Sequence, residues 1–355
     1  MNENIVYKGN DENGKLFDFK LLNEITEDSY ADVLLDFTFI TFKSINQLIY
    51  LIYTNNENSI ISYNLITNNK INEIKSAHEN IIVNFRHLFD EKEKRDLVLS
   101  VSSSDNNLKI WNINNFECIL NLKKVNERGE IYSSCFLIEN NNYFIVTSNY
   151  KSLFNGPIKV FDFNGQMIKE INDSNERTSF IDTYNDEKSS KIYIISANRG
   201  FVTSFDYNEN KIKHKYIDDN SNIDHFKAII DSSEKKENNE GIIKLIETSD
   251  DGYIRIWNFD SGILIKRIYV YKSYLYGFCF LYDNYILVGC GDKTIKIVEL
   301  NSGKTVKELI GHNDDVISVK IVNLPKYGKC IISQGNGNDQ IKLWINQSLY
   351  ASNSN

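Results

Sequence analysis

The chain has 355 residues, 41% hydrophobic and 25% charged, which is enough apolar material to bury a core and excludes wholesale disorder. Its formal net charge of −8 argues against a phosphate-tracking nucleic-acid binder and against a protein that rests on an anionic membrane. With only 2 prolines and 17 glycines, collagen-like and proline-rich linker classes are excluded as well.

Five cysteines (Cys118, Cys135, Cys279, Cys290 and Cys330) are scattered with no C-x-x-C pair, the usage of a protein that keeps its thiols reduced. The first residues show no basic segment followed by an apolar core. The longest apolar stretches, Leu34 to Phe42 and Leu48 to Tyr53, are too short to span a bilayer. A cytoplasmic protein is the expectation, with no nucleic-acid or membrane partner.

In chain order, residues 1–16 are expected to form an arm or an extra hairpin, and residues 17–347 one domain. Phe19 to Ile25 is a candidate outer strand, and Val33 to Ile40 a candidate inner strand. A short strand-like pattern then recurs: Ile60-Ile-Ser-Tyr-Asn-Leu65, Leu108-Lys-Ile-Trp-Asn-Ile113, Ile158-Lys-Val-Phe-Asp-Phe163 and Val202-Thr-Ser-Phe-Asp-Tyr207. It returns as Ile254-Arg-Ile-Trp-Asn-Phe259, Ile295-Lys-Ile-Val-Glu-Leu300 and Ile341-Lys-Leu-Trp-Ile-Asn346. Residues 348–355 make a polar tail.

The bulky positions of this pattern are Tyr63, Trp111, Phe161, Phe205, Trp257, Val298 and Trp344, separated by 48, 50, 44, 52, 41 and 46 residues. A period of that size, with strand alternation and no helical periodicity, predicts an all-β fold: a seven-bladed β-propeller of four-stranded antiparallel blades. After Trp344 too little chain remains for another strand. The N-terminal strand Phe19 to Ile25 is therefore expected to close the last blade.

Flanking residues add a family likeness. Ala77-His78 precedes Ile82-Val-Asn-Phe85, and Gly311-His312 precedes Val316-Ile-Ser-Val319. Asp105, Asp251 and Asp292 each stand six residues before a bulky position, and Asn338 takes that place before Trp344. In combination these residues resemble the WD40-repeat family, over about residues 20 to 346. The resemblance implies a hydrogen-bonded stack of His, Ser, Asp and Trp within a blade. His78, Ser102 (within the Ser102 to Ser104 run), Asp105 and Trp111 would make one set. His312, Ser333, Asn338 and Trp344 would make a weaker one, with Asp251, Trp257 and Asp292 as partial sets.

Catalytic chemistry finds no foothold. There is no H-x-x-x-H or paired C-x-x-C, no G-x-S-x-G and no P-loop. His87, His214 and His225 stand alone, and no metal or cofactor is expected. Phosphoinositide-binding propellers carry an Arg-Arg pair after Phe or Leu. The nearest string here, Phe85-Arg-His-Leu88, has one Arg.

The resemblance implies a non-enzymatic scaffold for protein or peptide partners, a monomeric propeller within a larger complex. A lipid-binding propeller is the alternative, and a propeller enzyme the third reading. Partners are expected on the top face, where the d–a and b–c loops converge, with Lys75, Glu79, Arg128, Arg177, Tyr274, Asn313 and Asp314 as candidate contacts. Charged a–b insertions at Asp90 to Asp96, Asn185 to Ser190 and Asp231 to Gly241 are assigned to the opposite, bottom face.

Overall fold

The computed structural model describes residues 16–25, 38–41, 48–125, 130–148, 157–172, 177–218, 223–233, 241–337 and 339–348. Their strands form seven four-stranded antiparallel sheets arranged as a β-propeller. Blade 1 begins with Thr38–Thr41, and residues 33–37 of the expected inner strand lie outside the described residues. Blades 2 to 6 each take four consecutive strands, opening with Ile82–Asp90, Ser134–Glu139, Thr178–Asp186, His225–Asp231 and Leu275–Tyr282, and blade 7 opens with Val316–Leu324.

All seven bulky positions fall on the third strand of a blade, strand c, and all are buried. Strand c is covered on both faces by neighbouring blades. Ile60–Asn64 and Ile341–Asn346 are buried at every position, whereas outer strands alternate, as Leu264–Tyr269 does. Among the described residues the core is correspondingly divided into seven apolar clusters, each drawn mainly from two adjacent blades. One of them reaches across the ring. It joins Val83 and Ile131 of blades 2 and 3 to Tyr276 and Ile317 of blades 6 and 7.

In blades 1 to 5 the polar residue after the bulky position has a local task. Asn64 Oδ1 accepts the N–H groups of Ile66 and Thr67, and Asp162 Oδ1 those of Asn164 and Gln166. Asn112, Asp206 and Asn258 cap the same turn in their blades. A short side-chain acceptor at this place folds the chain back from strand c to strand d.

The ring closes as the sequence predicts. Phe19–Ile25 pairs antiparallel with Ile341–Asn346, Phe19 opposite Asn346 and Ile25 opposite Ile341, with a bulge between Leu21 and Asn23. Lys342 Nζ donates to Glu24 Oε1 at 2.6 Å and Gln347 N–H to Asp18 C=O at 3.0 Å. Residues 1–15 and 349–355, including most of the expected arm and tail, lie outside the described residues.

Candidate functional site

Backbone hydrogen bonds sort the loops into two faces. On one face d–a loops bond b–c loops: Asp250 N–H to Asp224 C=O at 3.0 Å, Gly291 N–H to Tyr274 C=O at 2.9 Å and Asn336 N–H to Asp315 C=O at 2.8 Å. On the other, c–d turns bond the ends of a–b turns: Ile113 N–H to Asp96 C=O and Leu300 N–H to Asn284 C=O. The a–b turns at residues 91–94 and 187–190 open on this second, bottom face. Residues 234–240 of the third insertion lie outside the described residues.

In blade 7 a buried chain of hydrogen bonds links the loop to the core. Trp344 Nε1–H donates to Ser333 Oγ at 2.8 Å, and Ser333 Oγ lies 2.7 Å from His312 Nε2. His312 Nδ1 lies 2.7 Å from Asp339 Oδ2. With Asp339 accepting from Nδ1–H, His312 Nε2 is left to accept the Ser333 hydroxyl. Burial would raise the Asp339 pKa, but the hydrogen bond from His312 holds it below the usual carboxylate value. Sequence spacing pointed to Asn338, which lies outside the described residues. The carboxylate is supplied one residue later. Gly335 makes room for it, since a Cβ there would stand 2.1 Å from Asp339 Oδ2.

Blade 2 has a shorter version, and with a different serine. Trp111 Nε1–H donates to Ser100 Oγ at 2.8 Å, and Ser100 Oγ lies 2.7 Å from His78 Nε2. Ser102, the residue expected from the sequence, is buried with an unbonded hydroxyl. His78 Nδ1 is likewise unbonded. Asp105 instead accepts from Asn107, through both its backbone and its side-chain amide. Burial, aided by the Lys109 charge, pushes the His78 pKa down to about 3.

Blade 5 replaces serine by Glu247, whose Oε1 accepts Trp257 Nε1–H at 3.1 Å. His225 Nδ1 is 2.6 Å from Glu247 Oε2, both buried, without the alignment of a hydrogen bond. Asp251 meets no histidine. It accepts from Ser249 and from the guanidinium of Arg255, which also binds Asp218 at 2.6 Å. Asp292 of blade 6 likewise pairs with a strand-c cation, Lys296, at 2.8 Å. His87 and His214 have partners that the sequence did not reveal, Asp96 Oδ1 at 2.7 Å and Asp260 C=O at 2.8 Å.

Of the partner-binding candidates, Lys75, Glu79, Asn313 and Asp314 are exposed in d–a loops, and Arg128 lies outside the described residues. Arg177 is half-buried and paired with Asp224, so its charge is already engaged. Tyr274 is 45% exposed. Its ring meets Phe226 edge-on, at 6.0 Å and 80°, and Tyr276 at 5.7 Å. Tyr276 OH donates to Asp315 Oδ2 at 3.0 Å. Burial, with the like charge of Asp314, raises the Asp315 pKa despite that hydrogen bond. Phe226, Tyr276 and Asp315 were not among the contacts expected from the sequence. Their signal is positional, since Phe226 and Tyr276 are each the second residue of a strand a, and Asp315 immediately precedes one.

Among the described residues no cluster of three or more His, Cys, Asp and Glu is arranged to hold a metal, and no helix is long and apolar enough to cross a membrane. No protein-family model matches the chain. Over 74 residues, 21% of its length, the chain is 32% identical to the U3 small nucleolar RNA-associated protein 21 homolog of Schizosaccharomyces pombe. That match spans 8% of the relative's own length. The seven four-stranded blades are the architecture that the WD40 resemblance implies.

Proposed function

We propose that this propeller is a non-enzymatic scaffold that binds a protein or peptide partner on its top face. The observation that carries the reading is Tyr274, a large aromatic ring held in the open by buried Tyr276 and half-buried Phe226. A ring already fixed by packing loses little conformational freedom on binding, which suits it to anchor an interface. The histidines, acids and serines that could suggest catalysis are tied into blade networks in blades 2, 5 and 7.

A lipid-binding role draws less support. Arg86, the residue nearest to a headgroup-binding signature, has its guanidinium 5.3 Å from the Phe180 ring, and Asp314 and Asp315 would repel anionic headgroups. The five cysteines are all unpaired, in keeping with an intracellular protein. A fluorescent fusion would separate the cytoplasm, which we favour, from the nucleolus, which the name of the relative matched over 74 residues suggests.

The test is affinity capture from the native cell with three baits: the wild type, Tyr274→Ala with Asp314→Lys, and a variant shortened at residues 91–94. The top-face variant is expected to lose its principal partner, and the bottom-face variant to keep it. The opposite pattern would move the binding surface to the bottom face. Binding of wild type to phosphoinositide vesicles in a flotation assay would favour the lipid reading.

A further inference from the structure

We infer that the notch between Tyr274 and Asp315 receives an arginine side chain from a basic peptide segment of the partner. This rests on the top-face reading and gives the partner its chemistry. One wall of the notch is the Tyr274 ring, braced by Phe226 and Tyr276. The other is the Asp315 carboxylate, held through Oδ2 by Tyr276 OH at 3.0 Å. A carboxylate has about four lone-pair sites, so this bond leaves acceptor capacity free.

Gly291 lies between the two walls. A Cβ there would stand 3.5 Å from Asp315 Oδ2, 3.6 Å from the Tyr274 Cβ and 3.2 Å from Ser273 Oγ. Gly291 does not have the positive φ that demands glycine, so what its missing side chain provides is space.

Two adjacent carboxylates stand at the notch. Asp314 is exposed beside Asp315 and adds a second carboxylate. Of the lysines on the adjoining loops, Lys272 is exposed and Lys293 Nζ donates to Asn313 C=O at 2.7 Å. Asp292 is neutralised by Lys296. An aromatic face beside carboxylates is complementary to a flat cation. A guanidinium stacks on the ring and presents its N–H fork to the carboxylate, a geometry that lysine cannot reproduce. Anionic partners, phosphopeptides and nucleic acid among them, meet repulsion at the same place.

The test selects short random peptides on phage against the full chain, then measures the selected peptides by fluorescence polarisation. The proteins compared are the wild type, Tyr274→Ala, Tyr274→Phe and Asp314→Asn with Asp315→Asn, each checked for an unchanged melting temperature. The selected sequences are expected to share an arginine whose replacement by alanine removes binding. Tyr274→Ala and the double Asn variant should each weaken binding about 3- to 10-fold, while Tyr274→Phe, which keeps the ring, stays within about twofold.

Peptides without a basic residue that still depend on Tyr274 would overturn the arginine inference and leave the top-face reading intact. Peptides indifferent to every one of these variants would overturn both. A selection with no enrichment of basic peptides over the starting library overturns the arginine inference.

Discussion

His312 and Asp339 share a buried contact of 2.7 Å that fixes the imidazole tautomer of the last blade and, through Ser333, the Trp344 indole. Every donor in this chain meets an acceptor away from water, so removing a middle member strands the others. Ser333→Ala and Asp339→Ala are each expected to cost about 1–3 kcal/mol, the penalty for a buried polar group left unpaired. Ser302→Ala, an exposed turn position, should stay within about 0.5 kcal/mol. Urea midpoints at constant m-value provide the comparison.

His78 has no carboxylate partner, and its pKa falls from 6.5 to about 3 on folding. The unfolded chain therefore binds a proton below pH 6.5 that the folded chain refuses until about pH 3. Its contribution is present above pH 6.5 and is lost as the pH falls through that window. The full effect is on the order of 5 kcal/mol. His78→Gln keeps a hydrogen-bonding side chain but does not titrate. Its unfolding free energy is expected to fall less steeply between pH 6.5 and pH 4 than that of the wild type. Parallel curves would show that His78 is not buried as a neutral ring.

The ring and its closure were legible because they depend on periodicity and on counting strands. The bulky residues that pack between blades recur at similar spacing, and the missing outer strand of blade 7 could be inferred from the chain left after Trp344. The hydrogen-bond networks were less legible. Asp105, Asp251, Asp292 and Asn338 are equivalent by count, yet Asp251 and Asp292 turn to strand-c cations, and blade 7 takes its carboxylate from Asp339. Spacing locates a b–c turn but does not determine which way its side chains point. Ser100 was missed for the same reason, since Ser102 and Ser103 stood nearer the turn. Tyr274 was visible as a loop aromatic, but its bracing by Phe226 comes from another blade and has no trace in local sequence.

Closure by the N-terminal strand makes the chain ends part of one sheet. Phe19 is buried in a cluster with Phe17, Leu309 and Trp344. Phe19→Ala is expected to cost about 3–5 kcal/mol. Deleting residues 1–25 should expose the edge of Ile341–Asn346 and promote aggregation, read by light scattering on mild heating. A deletion variant with the wild-type melting profile would contradict the closure.

Two glycines of neighbouring b–c loops should respond differently to alanine. At Gly252, φ is +82° and a Cβ would lie 1.6 Å from Tyr271 C=O, so Gly252→Ala must displace backbone and should cost more than about 1 kcal/mol. At Gly291 the nearest atom is the Ser273 hydroxyl, 3.2 Å away, which can rotate. Gly291→Ala should leave the melting temperature nearly unchanged while weakening capture of the partner by filling the notch.

The most direct measurement of the central claim is photo-crosslinking inside the native cell, with a photoreactive phenylalanine analogue in place of either Tyr274 on the top face or Glu93 on the bottom. The account expects a discrete protein adduct from position 274 and none from position 93. An adduct from position 93 with none from position 274 would contradict it.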